Sequence, residues 1–147
     1  MRRLSCVLFI LLSIVGTTYS VSAQQVGPTG KRDSGFNLEQ NYPNPFNPET
    51  KIPFVLEPEL FASGQPVIVS VRIFNVLQQF ITAPTALNHP QGEGVPVLDL
   101  EYPFPGRWEA YWDGRDESGK QVASGVYFVQ LAVNGKRPQA RKMFVTK

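Results

Sequence analysis

The sequence has few of the residues that build metal centres or carry nucleophilic catalysis. Its 147 residues include one cysteine and one histidine. Zinc sites need clusters of these residues, so they are excluded. No G-x-S-x-G turn, phosphate-binding glycine loop or paired histidine and carboxylate motif occurs. We therefore expect a protein that is not an enzyme and that holds no metal or cofactor. His89, between Asn88 and Pro90, is predicted to be a solvated loop side chain.

No apolar run is long enough to cross a membrane. The longest covers residues 4–15, follows Met1-Arg2-Arg3 and precedes Val21-Ser22-Ala23. A spanning helix needs about 20 apolar residues. The pattern predicts a secretory signal peptide, residues 1–23, which signal peptidase removes. A membrane anchor is the less favoured alternative, and Cys6 stands too early for a lipoprotein cysteine. The predicted mature chain has no cysteine and must be stabilised by burial alone.

The mature chain lacks the basic excess that nucleic-acid binding requires. The whole chain has 14 basic and 12 acidic residues, and the signal peptide carries two of the basic ones, Arg2 and Arg3. Residues 118–147 contain no acidic residue but six basic ones. The plain interpretation is strands whose outer faces attract acidic neighbours. The alternative is a basic terminal patch that an anionic partner recognises.

Proline and asparagine dominate the beginning of the predicted domain, residues 37–147. Residues 24–36 are polar and are interpreted as a flexible leader. In the next segment Pro43, Pro45 and Pro48 remove backbone donors, which excludes a helix or a central strand. We expect a stiff extended strap in which Tyr42 and Phe46 close the side or end of a core. A proline-rich ligand for a partner's aromatic groove is the alternative.

Residues of alternating polarity predict strands over most of the remaining chain. Strands are indicated near residues 51–56, 67–74, 98–100, 107–112, 126–133 and 142–146, with a loop over 82–96. Pro53 indicates an edge strand, and Asn134-Gly135 is a strong hairpin signal. The pattern predicts an all-β fold, an immunoglobulin-like antiparallel β-sandwich of about seven strands, in which Tyr127 lies at a strand corner.

Two binding sites are weaker alternatives. Asp113, Asp116 and Glu117 lie beside glycines, as in a calcium loop, but an ordinary hairpin loop explains them equally well. Trp108, Tyr111 and Trp112 could form a platform for sugar stacking. Because Trp108 and Trp112 share one strand face, we expect both in the core and only Tyr111 at the surface.

Four segments together resemble a known family. They are residues 38–48, Phe74-Asn75-Val76-Leu77, residues 112–128 with Trp112-Asp113-Gly114-Arg115-Asp116, and Arg141-Lys142-Met143-Phe144-Val145. In this order they resemble the C-terminal sorting domains of bacterial type IX secretion, and they are similar to the immunoglobulin-like domain of flagellar hook-capping proteins. The resemblance covers about residues 37–147. The family usually has glycine where Gln78 stands, so this turn must accept another residue or differ in shape.

The resemblance implies a sorting signal that folds in the periplasm, is recognised by the outer-membrane type IX secretion machinery and reaches the cell surface or medium. By match, the residues implied in recognition are Gly125, Tyr127, Lys142, Met143 and Val145. The alternative is a structural or adhesive surface module that binds polymer or another subunit, as in hook-cap assembly. The signal peptide favours sorting, because flagellar parts normally leave without one.

Overall fold

The computed structural model describes residues 34–147, so the predicted signal peptide and most of the predicted leader lie outside the described residues. Two antiparallel sheets form a β-sandwich, which confirms the predicted fold class. The strands are β1 (Phe36–Leu38), β2 (Thr50–Leu56), β3 (Val67–Asn75), β4 (Phe80–Thr82), β5 (Thr85–Leu87), β6 (Leu100–Tyr102), β7 (Gly106–Trp112), β8 (Gly125–Val133) and β9 (Gln139–Val145), with a short 3-10 helix at Pro58–Phe61.

Sheet A has the strand order β1-β2-β7-β5, and sheet B has the order β4-β3-β8-β9 with β6 also beside β3. Three short strands, β1, β4 and β5, were not predicted, and β5 lies within the expected loop 82–96. The short strand expected near 98–100 is β6, which begins only at Leu100. Three-residue strands carry too little alternation for sequence periodicity to identify them. No helix within residues 34–147 is long and apolar enough to span a membrane.

Alternation of side chains builds the core between the sheets. On β3 every second residue from Val67 to Ile73 is fully buried, and these residues lie beside the buried side chains of β8 in the same sheet. Ile52, Phe54 and Leu56 supply the opposing face from sheet A. Burying one such side chain stabilises the fold by about 1.5–3 kcal/mol before the loss of conformational entropy is counted.

Pro53 does not lie on an edge strand, because β2 has β1 on one side and β7 on the other. The Pro53 carbonyl accepts a hydrogen bond from the Glu39 backbone N–H at 3.0 Å, so the proline nitrogen faces the β1 side. β1 itself ends at Leu38. The missing N–H therefore lies on the side of β1, just beyond the end of that short strand, and not in the long ladder with β7, which explains how a proline fits inside the sheet.

His89 is buried, contrary to the prediction of a solvated side chain. Its Nε2–H donates to the Glu101 carbonyl at 2.8 Å, and its Nδ1 accepts from the Gln91 N–H at 3.1 Å. Its ring also packs against Tyr102 with centroids 4.7 Å apart. A neutral imidazole that satisfies both nitrogens can be buried without penalty, so this histidine has a structural role.

Candidate functional site

Three of the segments that carry the resemblance meet at one end of the sandwich, which we call the signature end. It comprises the strap (residues 42–48), the turn after β7, the start of β8 and the end of β9. Phe46 lies 5.4 Å from Trp112, and Trp112 lies 5.7 Å from Tyr127, between ring centroids. Phe46 also forms an isolated parallel bridge with Val145. Segments far apart in sequence therefore form one packed unit.

The strap and Gln40, two residues before it, close the outer edge of the last strand. Phe46 N–H donates to the Phe144 carbonyl, and Thr146 N–H donates to the Phe46 carbonyl, each at 2.9 Å. Asn44 Oδ1 accepts from Phe144 N–H at 3.0 Å, and Gln40 Nε2 donates to the Lys142 carbonyl at 3.0 Å. Exposed strand edges invite pairing with other chains, and here backbone groups and carboxamides occupy the edge.

Gly114 allows the turn after β7 to reach the strap. Its φ is +74°, and a Cβ atom there would lie 2.5 Å from the carbonyl oxygen of Pro48. Trp112 Nε1 donates to the Arg115 carbonyl at 2.8 Å, which fixes the indole that packs on Phe46. The Trp112-Asp113-Gly114 motif thus forms the surface against which the strap packs. The sequence predicted the turn, but not its contact with the strap.

In the loop considered as a calcium site, the Asp116 carboxylate is hydrogen-bonded by other residues of the same loop. Asp116 Oδ1 accepts hydrogen bonds from the Ser118 hydroxyl, the Ser118 N–H and the Lys120 N–H. The Ser118 hydroxyl is the main cause that lowers the pKa of Asp116. Within the described residues no group of three metal-ligating side chains comes together. This geometry is that of a hairpin loop closed by an Asx-type turn.

The residues implied in recognition divide between the core and the surface. Tyr127, Met143 and Val145 are buried, whereas Gly125 and Lys142 are exposed. The Tyr127 hydroxyl donates to the Ala123 carbonyl at 3.0 Å, which confirms the predicted strand-corner tyrosine, and burial raises its pKa. In the folded domain a partner can therefore touch only the exposed part of this set.

Arg141 in the last strand supports the edge of the other sheet. Its Nε–H donates to the Leu38 carbonyl at 2.8 Å. The side-chain amide of Gln139 accepts from Leu38 N–H and donates to the Phe36 carbonyl, each at 2.8 Å. Arg141 thus binds a backbone carbonyl and not an acidic neighbour. Periodicity could not reveal this link, because it joins positions about 100 residues apart.

The outer face of sheet A carries hydrogen-bonded tyrosines and carboxylates. Tyr111 donates to Glu49 Oε2 at 2.5 Å, and Tyr42 donates to Glu109. The hydrogen bond to Glu49 is the main cause that raises the pKa of Tyr111 to about 12. Trp112 is buried as expected, whereas Trp108 is partly buried at the margin of the core. Tyr111, which the sequence placed at the surface, is half-buried.

Comparison with known proteins yields two solved structures and no sequence relative. No family model and no curated protein matches the chain. PorZ, an essential bacterial surface component of the type IX secretion system of Porphyromonas gingivalis, is similar over 76% of this chain and 12% of its own, with 20% identity and a TM-score of 0.43. Dimeric latent PorU of the same organism is similar over 76% of this chain and 9% of its own, with 19% identity and a TM-score of 0.49. The chain thus spans only a small fraction of either protein.

Proposed function

We propose that the chain is a non-enzymatic, exported sorting module that the outer-membrane type IX secretion machinery recognises. The observation that carries the proposal is the signature end. The strap, the Trp112-Asp113-Gly114 turn, the start of β8 and the last strand were matched to the family only by their order in the sequence. In the fold they form one contiguous unit through Phe46, Trp112, Tyr127 and Val145.

The packing of these motifs fixes the conformation of the last strand. The last strand is held on one side by β8 and on the other by the strap. Its outward side chains are thus presented on a fixed backbone, which reduces the entropy that a partner must remove on binding. A strand that is held in a defined conformation is well suited to serve as a signal.

The proposal is tested by localisation. A fluorescent protein is placed between residues 1–23 and residues 24–147 and is expressed in a bacterium with a type IX translocon and in a matched strain without it. We expect the fusion at the surface or in the medium only in the first strain. The same fusion without residues 24–147 is the control and should remain in the periplasm. Retention of the folded full fusion in the periplasm of both strains would refute the proposal.

A second candidate is a surface module that binds a polymer. Tyr42 and Tyr111 lie on the outer face of sheet A on either side of Lys51, two strand spacings or about 10 Å apart. Tyr42 is 43% exposed. Spaced tyrosines of this kind could stack on the rings of successive sugars. Affinity electrophoresis of residues 24–147 in gels that contain neutral polysaccharides tests this, with Tyr42→Ala as the comparison. Unretarded migration in every polysaccharide gel would exclude the candidate.

A further inference from the structure

The outer face of sheet B is apolar next to the signature end. Phe74, Phe128 and Lys142 are in register across β3, β8 and β9, and Phe80 pairs with Phe74 at the other side. The rings of Phe74 and Phe80 lie 6.0 Å apart in an edge-to-face arrangement. Phe80 and Phe144 remain 39% and 41% exposed. Exposed apolar side chains in a continuous row mark an interaction surface more often than isolated ones do.

The hairpin between β3 and β4 extends this surface with two residues that the turn does not require. Val76 and Leu77 are 62% and 74% exposed. The turn is closed by Asn75, whose Oδ1 accepts from the N–H groups of Leu77 and Gln79 at 2.9 and 3.0 Å. Turn positions favour small or polar residues, and neither apolar side chain is buried in the core. Apolar residues that violate a local preference without a gain in packing are expected at functional sites.

Next to the signature end, the charge on this face has one sign. Strands β3, β4, β8 and β9 contain no aspartate or glutamate, and their outward-facing charged residues are Arg72 and Lys142. The acidic Glu101 of β6 lies on the same face but pairs with Ile68, near the opposite end of β3. The ion pairs within residues 34–147 involve Arg107 and Arg115 and not Lys142. The charge of Lys142 is therefore available to a partner. A matching surface must therefore be apolar in the middle and acidic at its rim.

We propose that Val76, Leu77, Phe80, Phe144 and Lys142 form a recognition face that binds an apolar groove with an acidic rim on a protein of the secretion machinery. This inference rests on the proposed function. It follows from the alternation of side chains along β9. Met143 and Val145 point inward and stabilise the sandwich, while Lys142 and Phe144 point outward and can contact a partner. Of the motif residues on β9, Met143 and Val145 thus belong to the core, whereas Lys142 lies with Phe144 on the face proposed to contact the partner.

Two other occupants fit the face less well. A second copy docked symmetrically about β9 would bring the two Lys142 side chains together, with no acidic residue on β9 to neutralise them. A lipid bilayer reached by the hairpin tip would cover Val76 and Leu77. It would leave the row that runs to β9, about 14 Å away over three strand spacings, in water. A protein groove can cover the whole row.

The test uses the fluorescent fusion described above with surface variants. The double variant Leu77→Ser with Phe144→Thr removes apolar area at both sides of the face, and Lys142→Gln removes the charge. We expect translocon-dependent export to fall at least tenfold for the double variant and severalfold for Lys142→Gln. Phe104→Ser is the matched control, because Phe104 is 57% exposed but lies in the loop between β6 and β7, outside the face. Its export should equal that of the unchanged chain.

Thermal unfolding of residues 24–147 establishes that each variant is folded. Folded variants that are exported like the unchanged chain would overturn the recognition face while the proposed function stands. If the unchanged fusion is not exported, the proposed function fails and this partner fails with it. Sedimentation velocity and co-sedimentation with vesicles that contain anionic phospholipid examine the other occupants. Self-association or vesicle binding that the double variant abolishes would show that the face binds a second copy or a membrane, and would refute the inference.

Discussion

Gly114→Ala tests whether the turn after β7 is shaped to receive the strap. At Gly114 two effects oppose any other residue: φ is +74°, and the new Cβ atom would stand 2.5 Å from the Pro48 carbonyl oxygen. Gly119 separates the two effects. Its φ is +81°, but no atom lies within 4 Å of the Cβ position. Both glycines belong to the same hairpin connection between β7 and β8.

The expected magnitudes follow from these two geometries. A left-handed conformation costs an L-residue about 1–2 kcal/mol, and this applies at both positions. Forcing an atom into a packed site costs about a further 1–3 kcal/mol, and this applies only at Gly114 because a backbone carbonyl cannot rotate away. We therefore expect Gly119→Ala to lower the free energy of unfolding by about 1–2 kcal/mol, and Gly114→Ala by about 2–5 kcal/mol.

Urea unfolding of residues 24–147, followed by tryptophan fluorescence, measures both values. Trp112 lies directly at the contact between strap and turn, so its emission reports on the site as well as on global unfolding. Equal losses for the two variants would refute the close approach of strap and turn, since only the shared backbone strain would then remain. A loss at Gly114 that also disturbs the native emission of Trp112 is the result that the packing predicts.

Three further predictions concern local strain and ionisation. Gln78 has φ of +60°, so Gln78→Gly should raise the free energy of unfolding by about 0.5 kcal/mol, and a loss in urea unfolding would contradict this. The Tyr102 hydroxyl is buried without a hydrogen-bond partner among the described residues, and burial raises its pKa. Tyr102→Phe should therefore stabilise the domain by about 1 kcal/mol, and destabilisation of that size would show a hidden partner. Tyr111 has its pKa raised from 10.0 to about 12, chiefly by its hydrogen bond to Glu49. The protonated form is favoured by folding, so this contribution to stability is complete below pH 10 and is lost as pH rises toward 12. A titration followed by tyrosine absorbance should show that a group ionising above pH 10 is present in the unchanged chain and missing in Tyr111→Phe.

The fold class and the long strands could be predicted because they depend on alternation, which a sequence displays directly. Asn134-Gly135 also formed the expected hairpin turn, with φ of +48° and +66°, since few other residue pairs accept positive φ twice. Gln78 shows the complementary case. The turn keeps the left-handed conformation that favours glycine, although glycine is absent. The shape is fixed by Asn75 and its two hydrogen bonds to the turn, which outweigh the preference at one position.

The contacts between distant segments could not be predicted. The burial of His89 depends on Glu101 and Tyr102, which a later strand brings beside the loop. The position of Pro53 inside sheet A depends on where β1 ends. In both cases the local sequence indicated the commonest arrangement of the residue type. The observed arrangement depends on a hydrogen-bond partner that is distant in sequence, Glu101 for His89 and Glu39 for Pro53. The prediction that the strap closes the core is confirmed at Phe46 but wrong at Tyr42, which is 43% exposed and hydrogen-bonded to Glu109 on the outer face of sheet A. The role of the strap as the cover of the last strand required the fold.

The dual role of the last strand makes its truncation a test of folding before it is a test of recognition. Deleting residues 141–147 removes Met143 and Val145 from the core, the Arg141 bond to Leu38, and the partners of Phe46 at the strand edge. Removing one buried aliphatic side chain already costs about 2–5 kcal/mol, and a domain of this size has about 5–15 kcal/mol in total. We therefore expect the truncated chain to be unfolded at 37 °C, as measured by circular dichroism. A truncated chain that unfolds cooperatively near the temperature of the intact domain would contradict this account of β9. Only in that event could its loss of export be attributed to recognition alone.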